Sequence, residues 1–170
     1  MSENVSVLDP SAQSMAGLSG KYLTFRLGRE EYGIGILQVQ EIIGIMPVTH
    51  IPRAPEYVRG VINLRGRVIP VVDLRIKLGM DGKEDSEKTC IIVVQVPGDG
   101  GHITIGFIVD EVSEVLDIAT ADIQEPPSMG SGVDTEYILG MARMKGGVKI
   151  LVDIERVLSS EETVQLTATM

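Results

Sequence analysis

Apolar residues along this chain fall in short runs of alternating or β-branched character, broken by Gly, Pro and charged residues. "KYLTFRLGREEYGIGIL" and "TCIIVVQVPGDGGHITIGFIV" each place such runs on either side of a turn rich in Gly, Asp and Glu, and each predicts a β-hairpin. "GVINLRGRVIPVVDL", Gly60 to Leu74, predicts another, with Arg65-Gly66 at its tip and Gly66 supplying the positive φ of a two-residue turn. A fourth centres on Lys145-Gly146. "LQVQEIIG" and "VDEVSEVLD" carry mixed helix and strand character, and each precedes a Pro-containing loop, "THIPRAPE" or "IQEPPSMGSG". From Asp153 onward "DIERVLSSEETVQL" reads as helical, and residues 1–19 read as a flexible N-terminal arm.

The order of these elements repeats. "EYVRGVINLRGRVIPVVDLRIKLG" from Glu56 lies over "EYILGMARMKGGVKILVDIERVLS" from Glu136 without gaps, matching Gly60/Gly140, Gly66/Gly146, Val72/Val152 and Asp73/Asp153. Upstream, "YGIGILQVQEII" from Tyr32 lies over "IGFIVDEVSEVL" from Ile105, matching Gly33/Gly106, Val39/Val112 and Glu41/Glu114. The chain is thus read as a tandem duplication of a unit too long for the usual solenoid repeats. Short strands at regular spacing with little helix predict a mainly β fold of two small five-stranded SH3-like barrels packed together, with short helices and a C-terminal helix. The boundaries expected are residues 20–158 for the whole domain, about 20–80 and 88–158 for the barrel-like repeats, with terminal strands open to exchange between them, and 159–170 for a helical tail.

Pairing Leu64 with Arg67 puts Ile62, Leu64, Ile69 and Val71 on one face of the third hairpin and Val61, Asn63, Val68, Pro70 and Val72 on the other. Both faces are largely apolar, whereas a strand with one wet side alternates. One face fills its barrel; the other is expected to pack against the second barrel, because a unit this small buries too little surface alone. Pro70 removes a ladder donor, so its strand is expected to be an edge or to contain a bulge.

Composition then narrows the function. A hydrophobic content of 44% excludes a mainly disordered chain, and aromatics at 4% with no Trp leave the core to Val, Ile, Leu and Met. The apolar runs are too short to span a membrane, the N-terminus lacks the pattern of a signal peptide, and the single Cys suits a reducing cytoplasm. These features predict a soluble cytoplasmic protein with no direct membrane insertion. A net charge of −9 makes nucleic acid a poor partner. Between Arg53 and Lys77, however, six cations stand against only Glu56 and Asp73. That basic stretch is either a solvated face or the mark of a specific acidic partner.

Candidate chemistry is thin. His50 and His102 have no ligand-like neighbours at metal spacing, and "PGDGGH" lacks the Lys-Ser/Thr of a phosphate cradle. Asp73 and Asp153 read as helix N-caps. A Cys90–His102 nucleophile pair is the remote enzymatic alternative. No metal, no cofactor and no enzymatic activity are expected.

"EEYGIGILQVQEI" followed by "GVINLRGRVIPVVDLRIKL" resembles the CheW family of bacterial chemotaxis coupling proteins, over about Lys21 to Leu158. The resemblance implies an adaptor of a two-component signalling system. Such a protein bridges the cytoplasmic tips of methyl-accepting chemoreceptors to the regulatory domain of the histidine kinase CheA, in arrays at the membrane. A coupling protein of a non-flagellar chemosensory pathway is the alternative. It further implies receptor contacts at Val39, Glu41, Ile42, Gly60, Asn63, Arg65 and Gly66. It names no kinase-contact residues. On the residues alone Arg65 reads as a polar side chain solvating a turn. The second repeat has Lys145 at that place and Arg143 where Asn63 stands, so the receptor site is expected on the first copy.

Overall fold

The computed structural model describes residues 20–98, 100–126 and 136–169; the expected arm at 1–19 lies outside them. Every predicted hairpin forms. The first joins β1 (Gly20–Leu27) to β2 (Glu30–Gly35), and a 3₁₀ turn at Ile36–Gln38 leads into β3 (Val39–Gly44). The hairpin of β4 (Val58–Leu64) and β5 (Arg67–Asp73) follows, then the single turn α1 (Leu74–Lys77). The second half repeats the order with β6 (Cys90–Gly98), β7 (Gly101–Val109), β8 (Glu111–Ile118) and the two-residue β9 (Ile123–Gln124). It closes with β10 (Ile138–Met144), β11 (Gly147–Val152), α2 (Ile154–Val157) and α3 (Ser160–Thr169). The segments of mixed character, β3 and β8, are strands; both pair antiparallel along a neighbouring strand, and tertiary pairing overrides local propensity.

The strands form two sheets, β3-β6-β7-β5-β4 and β8-β1-β2-β11-β10-β9. Each is an SH3-like barrel sheet of five principal strands, the second extended by β9. The opening hairpin of each repeat sits in the middle of the other repeat's sheet. β6–β7 lies between β3 and β5, and β1–β2 lies between β8 and β11. The chain crosses between sheets twice, at Ile36–Gln38 and at Asp110.

The duplication survives in the backbone details. Each closing hairpin has a register shift at the same place, between Val58 and Gly60 and between Ile138 and Gly140. Asp73 N–H donates to the Tyr57 carbonyl at 2.7 Å, and Asp153 N–H donates to that of Tyr137 at 2.8 Å. Asp73 and Asp153 each cap the short helix that follows, accepting from Arg75 N–H and Glu155 N–H. The parallel pairs Val71–Gly106 and Leu151–Gly33 correspond. Both glycines serve close packing: a Cβ on Gly106 would lie 2.6 Å from an Ile91 methyl, and one on Gly33 3.0 Å from a Leu151 methyl.

The largest buried cluster draws on both sheets. Leu23, Phe25, Tyr32 and Ile34 from one meet Val58, Val72, Ile92, Ile105 and Phe107 from the other. Phe25 and Tyr32 stack with centroids 6.0 Å apart, and burial pushes the Tyr32 phenol up to about 12. Ile62, Ile69 and Val71 fill the first barrel with Ile91, Val93 and Ile108, which is the inner face expected of that hairpin. The outer face is covered along its lower part: Val72 enters the shared core, Pro70 is buried and Val61 half-buried, whereas Asn63 and Val68 near the tip face solvent. Pro70 is not on an edge strand, because β5 lies between β7 and β4. Its neighbour Val61 directs both backbone groups to Thr49, at 2.9 and 2.8 Å, so the Val61–Pro70 pair is a non-hydrogen-bonded one. The missing N–H therefore takes nothing from that ladder, and pairing with β7 begins only at Val71.

Candidate functional site: the first hairpin tip and its crossover

The tip of β4–β5 is a tight turn with both central residues in the left-handed region, Arg65 at φ 53° and Gly66 at φ 88°. That is the geometry of a type I′ turn, whose twist matches the flanking strands. The Asn63 side chain stabilises it by accepting from Gly66 N–H at 2.8 Å. Gly bears a positive φ without strain, but Arg does so at a cost of roughly 1 kcal/mol. The equivalent Lys145 does not share it; there the positive φ values belong to Gly146 and Gly147.

β3 and β4 occupy opposite edges of the first sheet, yet the Arg65 guanidinium donates to the Glu41 carboxylate. The sheet is curled far enough for its edges to meet at this ion pair. It brings together Glu41 and Ile42 from β3 with Asn63, Arg65 and Gly66 from the tip. Ile42 is exposed, as is Val68 beside the tip, so apolar surface adjoins the charges. The resemblance implies that both Arg65 and Glu41 contact the receptor. Here they neutralise one another, with Arg65 the more exposed member at 68% against 26%.

Two of the expected residues stand apart from this ion pair. Gly60 is buried and has no side chain to offer; at φ 149° a Cβ there would lie 2.1 Å from the Thr49 carbonyl oxygen, so glycine admits the strand-like bridge of Thr49 to Val61. Val39 is half-buried and packs against the shared core. With Leu37, Gln95, His102 and Glu155 it lines an open groove at the crossover between sheets. Leu37 is 98% exposed, and sequence reasoning missed it. Its signal was present: it aligns with Asp110 of the other repeat, an apolar residue where its counterpart is charged.

Sequence reasoning also missed a buried polar network at the base of the same hairpin. Arg75, only 2% exposed, grips Asp73 through Nε and Nη2 at 3.0 and 2.9 Å and Asp110 through Nη1 at 2.8 Å. Arg59 adds a bond to Asp73 at 3.1 Å, and Asp110 accepts from Gly28 N–H at 2.7 Å. Burial pushes the Asp73 carboxyl up, but Arg75 and Arg59 outweigh it and hold the group below the usual carboxylate range. Among the described residues every buried side-chain nitrogen and oxygen has a partner.

Cys90 begins β6, whereas His102 pairs with Pro97 near the other end of that hairpin. At the rise of a strand they stand on the order of 20 Å apart, so the nucleophile pair does not form. Among the described residues no three His, Cys, Asp or Glu side chains gather as a metal site, and no helix is long and apolar enough to cross a membrane.

Comparison with known proteins agrees with this geometry. The model of the CheW-like domain matches residues 21–162. The chain belongs to the CheW-like family. It is 43% identical over 142 residues to the chemotaxis protein CheW of Klebsiella aerogenes, an alignment covering 84% of this chain and 83% of that one. To CheW of Rhizobium meliloti it is 37% identical over 152 residues, covering 89% and 96%. The crystal structure of the scaffolding protein TtCheW from Thermoanaerobacter tengcongensis superposes with a TM-score of 0.71 at 34% identity, covering 82% of this chain and 92% of that one. This is a family of chemotaxis scaffolds and adaptors, not of enzymes.

Proposed function

We propose that this chain couples chemoreceptors to the histidine kinase CheA, holding the receptor's cytoplasmic tip on the first barrel and the kinase's regulatory domain elsewhere. Membership of the CheW-like family supports the chemotaxis role. The observation that carries the receptor contact is the strained, exposed Arg65 at the tip, paired with Glu41 and flanked by Ile42 and Asn63. A receptor tip is a polar helical hairpin. The Arg fork binds its carboxylates or carbonyls in a fixed orientation, and Ile42 and Val39 give the helix an apolar strip. On this reading Glu41 pre-orients Arg65, and the bound receptor shares or replaces that pair. Gly60 contributes through the backbone it allows, and Gly66 by leaving the tip unobstructed.

The kinase's regulatory domain carries the same fold, so the two meet barrel end to barrel end, as heterologous contacts that can close rings. A micromolar affinity, about −8 kcal/mol, suits an array that assembles and remodels. The protein then works in the cytoplasm and reaches the membrane only through the receptors. Reconstitution tests this: with receptor and kinase, the wild type places autophosphorylation under ligand control, and Arg65→Glu removes that control while remaining folded. A folded Arg65→Glu protein that still couples the two contradicts the proposal.

A further inference from the structure

The duplication sets up a comparison between the two hairpin tips. Lys145 occupies the place of Arg65 and Glu114 that of Glu41, so by analogy the second barrel would close with a Lys145–Glu114 pair. It does not. Among the described residues no ion pair reaches Lys145, and the Glu114 side chain is exposed on β8. The cation that the first barrel neutralises internally is left uncommitted in the second.

It faces a cleft. The tips of β1–β2 and β10–β11 enclose a pocket lined by Arg26, Arg29, Glu30, Lys145, Val148 and Lys149, among others. Lys149 is already committed to Glu31, Nζ to Oε2 at 2.9 Å. The Lys149 bond first, and then the nearby charge of Arg26, hold the Glu31 carboxyl below its ordinary range. Arg29, like Lys145, is exposed and makes no ion pair among the described residues. The two free cations therefore stand on opposite tips with the cleft between them. The tip glycines Gly146 and Gly147 have open space where side chains would be, leaving their backbone accessible. Val148, 52% exposed, adds an apolar contact.

We propose that this cleft is a docking site for an acidic peptide segment of a protein partner, with Arg29 and Lys145 taking its carboxylates and Val148 an adjoining apolar side chain. Two free cations with Glu30 beside them match a few discrete carboxylates. Glu30 and Glu31 offset the four basic residues of the cleft, leaving too little net charge to hold an anionic lipid surface, and a polyanion is repelled by a chain of net charge −9. The site lies on the opposite barrel from Arg65, so it stands or falls apart from the receptor reading.

The test uses the full-length labelled protein and a synthetic Glu-Glu-Leu-Glu-Glu peptide, followed by amide chemical shifts. The proposal expects saturable shifts confined to Gly28–Glu31 and Lys145–Val148, and none with the Gln-for-Glu peptide. Arg29→Gln/Lys145→Gln, two exposed changes, should weaken binding by about tenfold or more without altering the rest of the spectrum. Absence of shifts at the tips, or an unchanged affinity in the double variant, overturns it. So does inorganic phosphate reproducing the full peptide shifts, which would make this a generic anion site. Binding to phosphatidylserine vesicles in place of the peptide also overturns it.

Discussion

At the scale of single residues, the first tip separates function from stability. Arg65 sits in a left-handed conformation that glycine adopts freely, and its pair with Glu41 is largely exposed, so it contributes little, within about 1 kcal/mol. Arg65→Gly should therefore leave stability unchanged or raise it by up to about 1 kcal/mol in urea unfolding, while receptor-tip binding is lost. A loss of stability along with binding would mean that the residue is part of the scaffold. Gly60 is the opposite case. Gly60→Ala drives a methyl into the Thr49 carbonyl at a strained φ, and should cost more than about 2 kcal/mol in the same measurement. The tip was legible as a turn because Asn63 and Gly66 follow turn chemistry; Arg65 does not, and its role came only through the family resemblance. Gly60 read the same way as a contact, because only the fold brings Thr49 against it.

At the scale of elements, period-two alternation shows which side of a strand is buried, but not which sheet receives it. Hairpins, register and duplication could thus be read from the chain, whereas the central place of each opening hairpin in the other repeat's sheet could not. The exchange has a consequence. Residues 20–80 alone lack the β6–β7 hairpin that separates β3 from β5, so that fragment should be unfolded by circular dichroism. Mixed with residues 81–170 it should regain the native spectrum; an independently folded 20–80 fragment would contradict the exchanged topology. The crossover at Asp110 is pinned by Arg75. In a stretch of six cations, nothing local set Arg75 apart from its solvated neighbours. Arg75→Ala strands Asp73 and Asp110 without their shared partner, and should cost roughly 3–5 kcal/mol in urea unfolding.

Across the whole molecule, Asp73, Glu31 and Glu162 all have carboxyls held below their ordinary range. For Glu162 burial again pushes upward and is outweighed, chiefly by Lys77 at 2.6 Å. A depressed folded-state value means that these groups stabilise the fold fully above their unfolded values, near pH 4. That contribution is lost as pH falls through the lower folded values. The urea midpoint should accordingly be flat from pH 7 to about 5 and fall below about 4. Asp73→Asn should be destabilised at pH 7 and show a shallower fall. The proposal that one small adaptor holds two partners at once is tested by amide chemical shifts of the labelled protein. One titration uses a receptor cytoplasmic tip fragment, the other the kinase's regulatory domain. The receptor fragment should move Val39–Ile42 and Asn63–Gly66, and the kinase domain a separate set. Shifts from both partners on the same residues, or from neither, would contradict it.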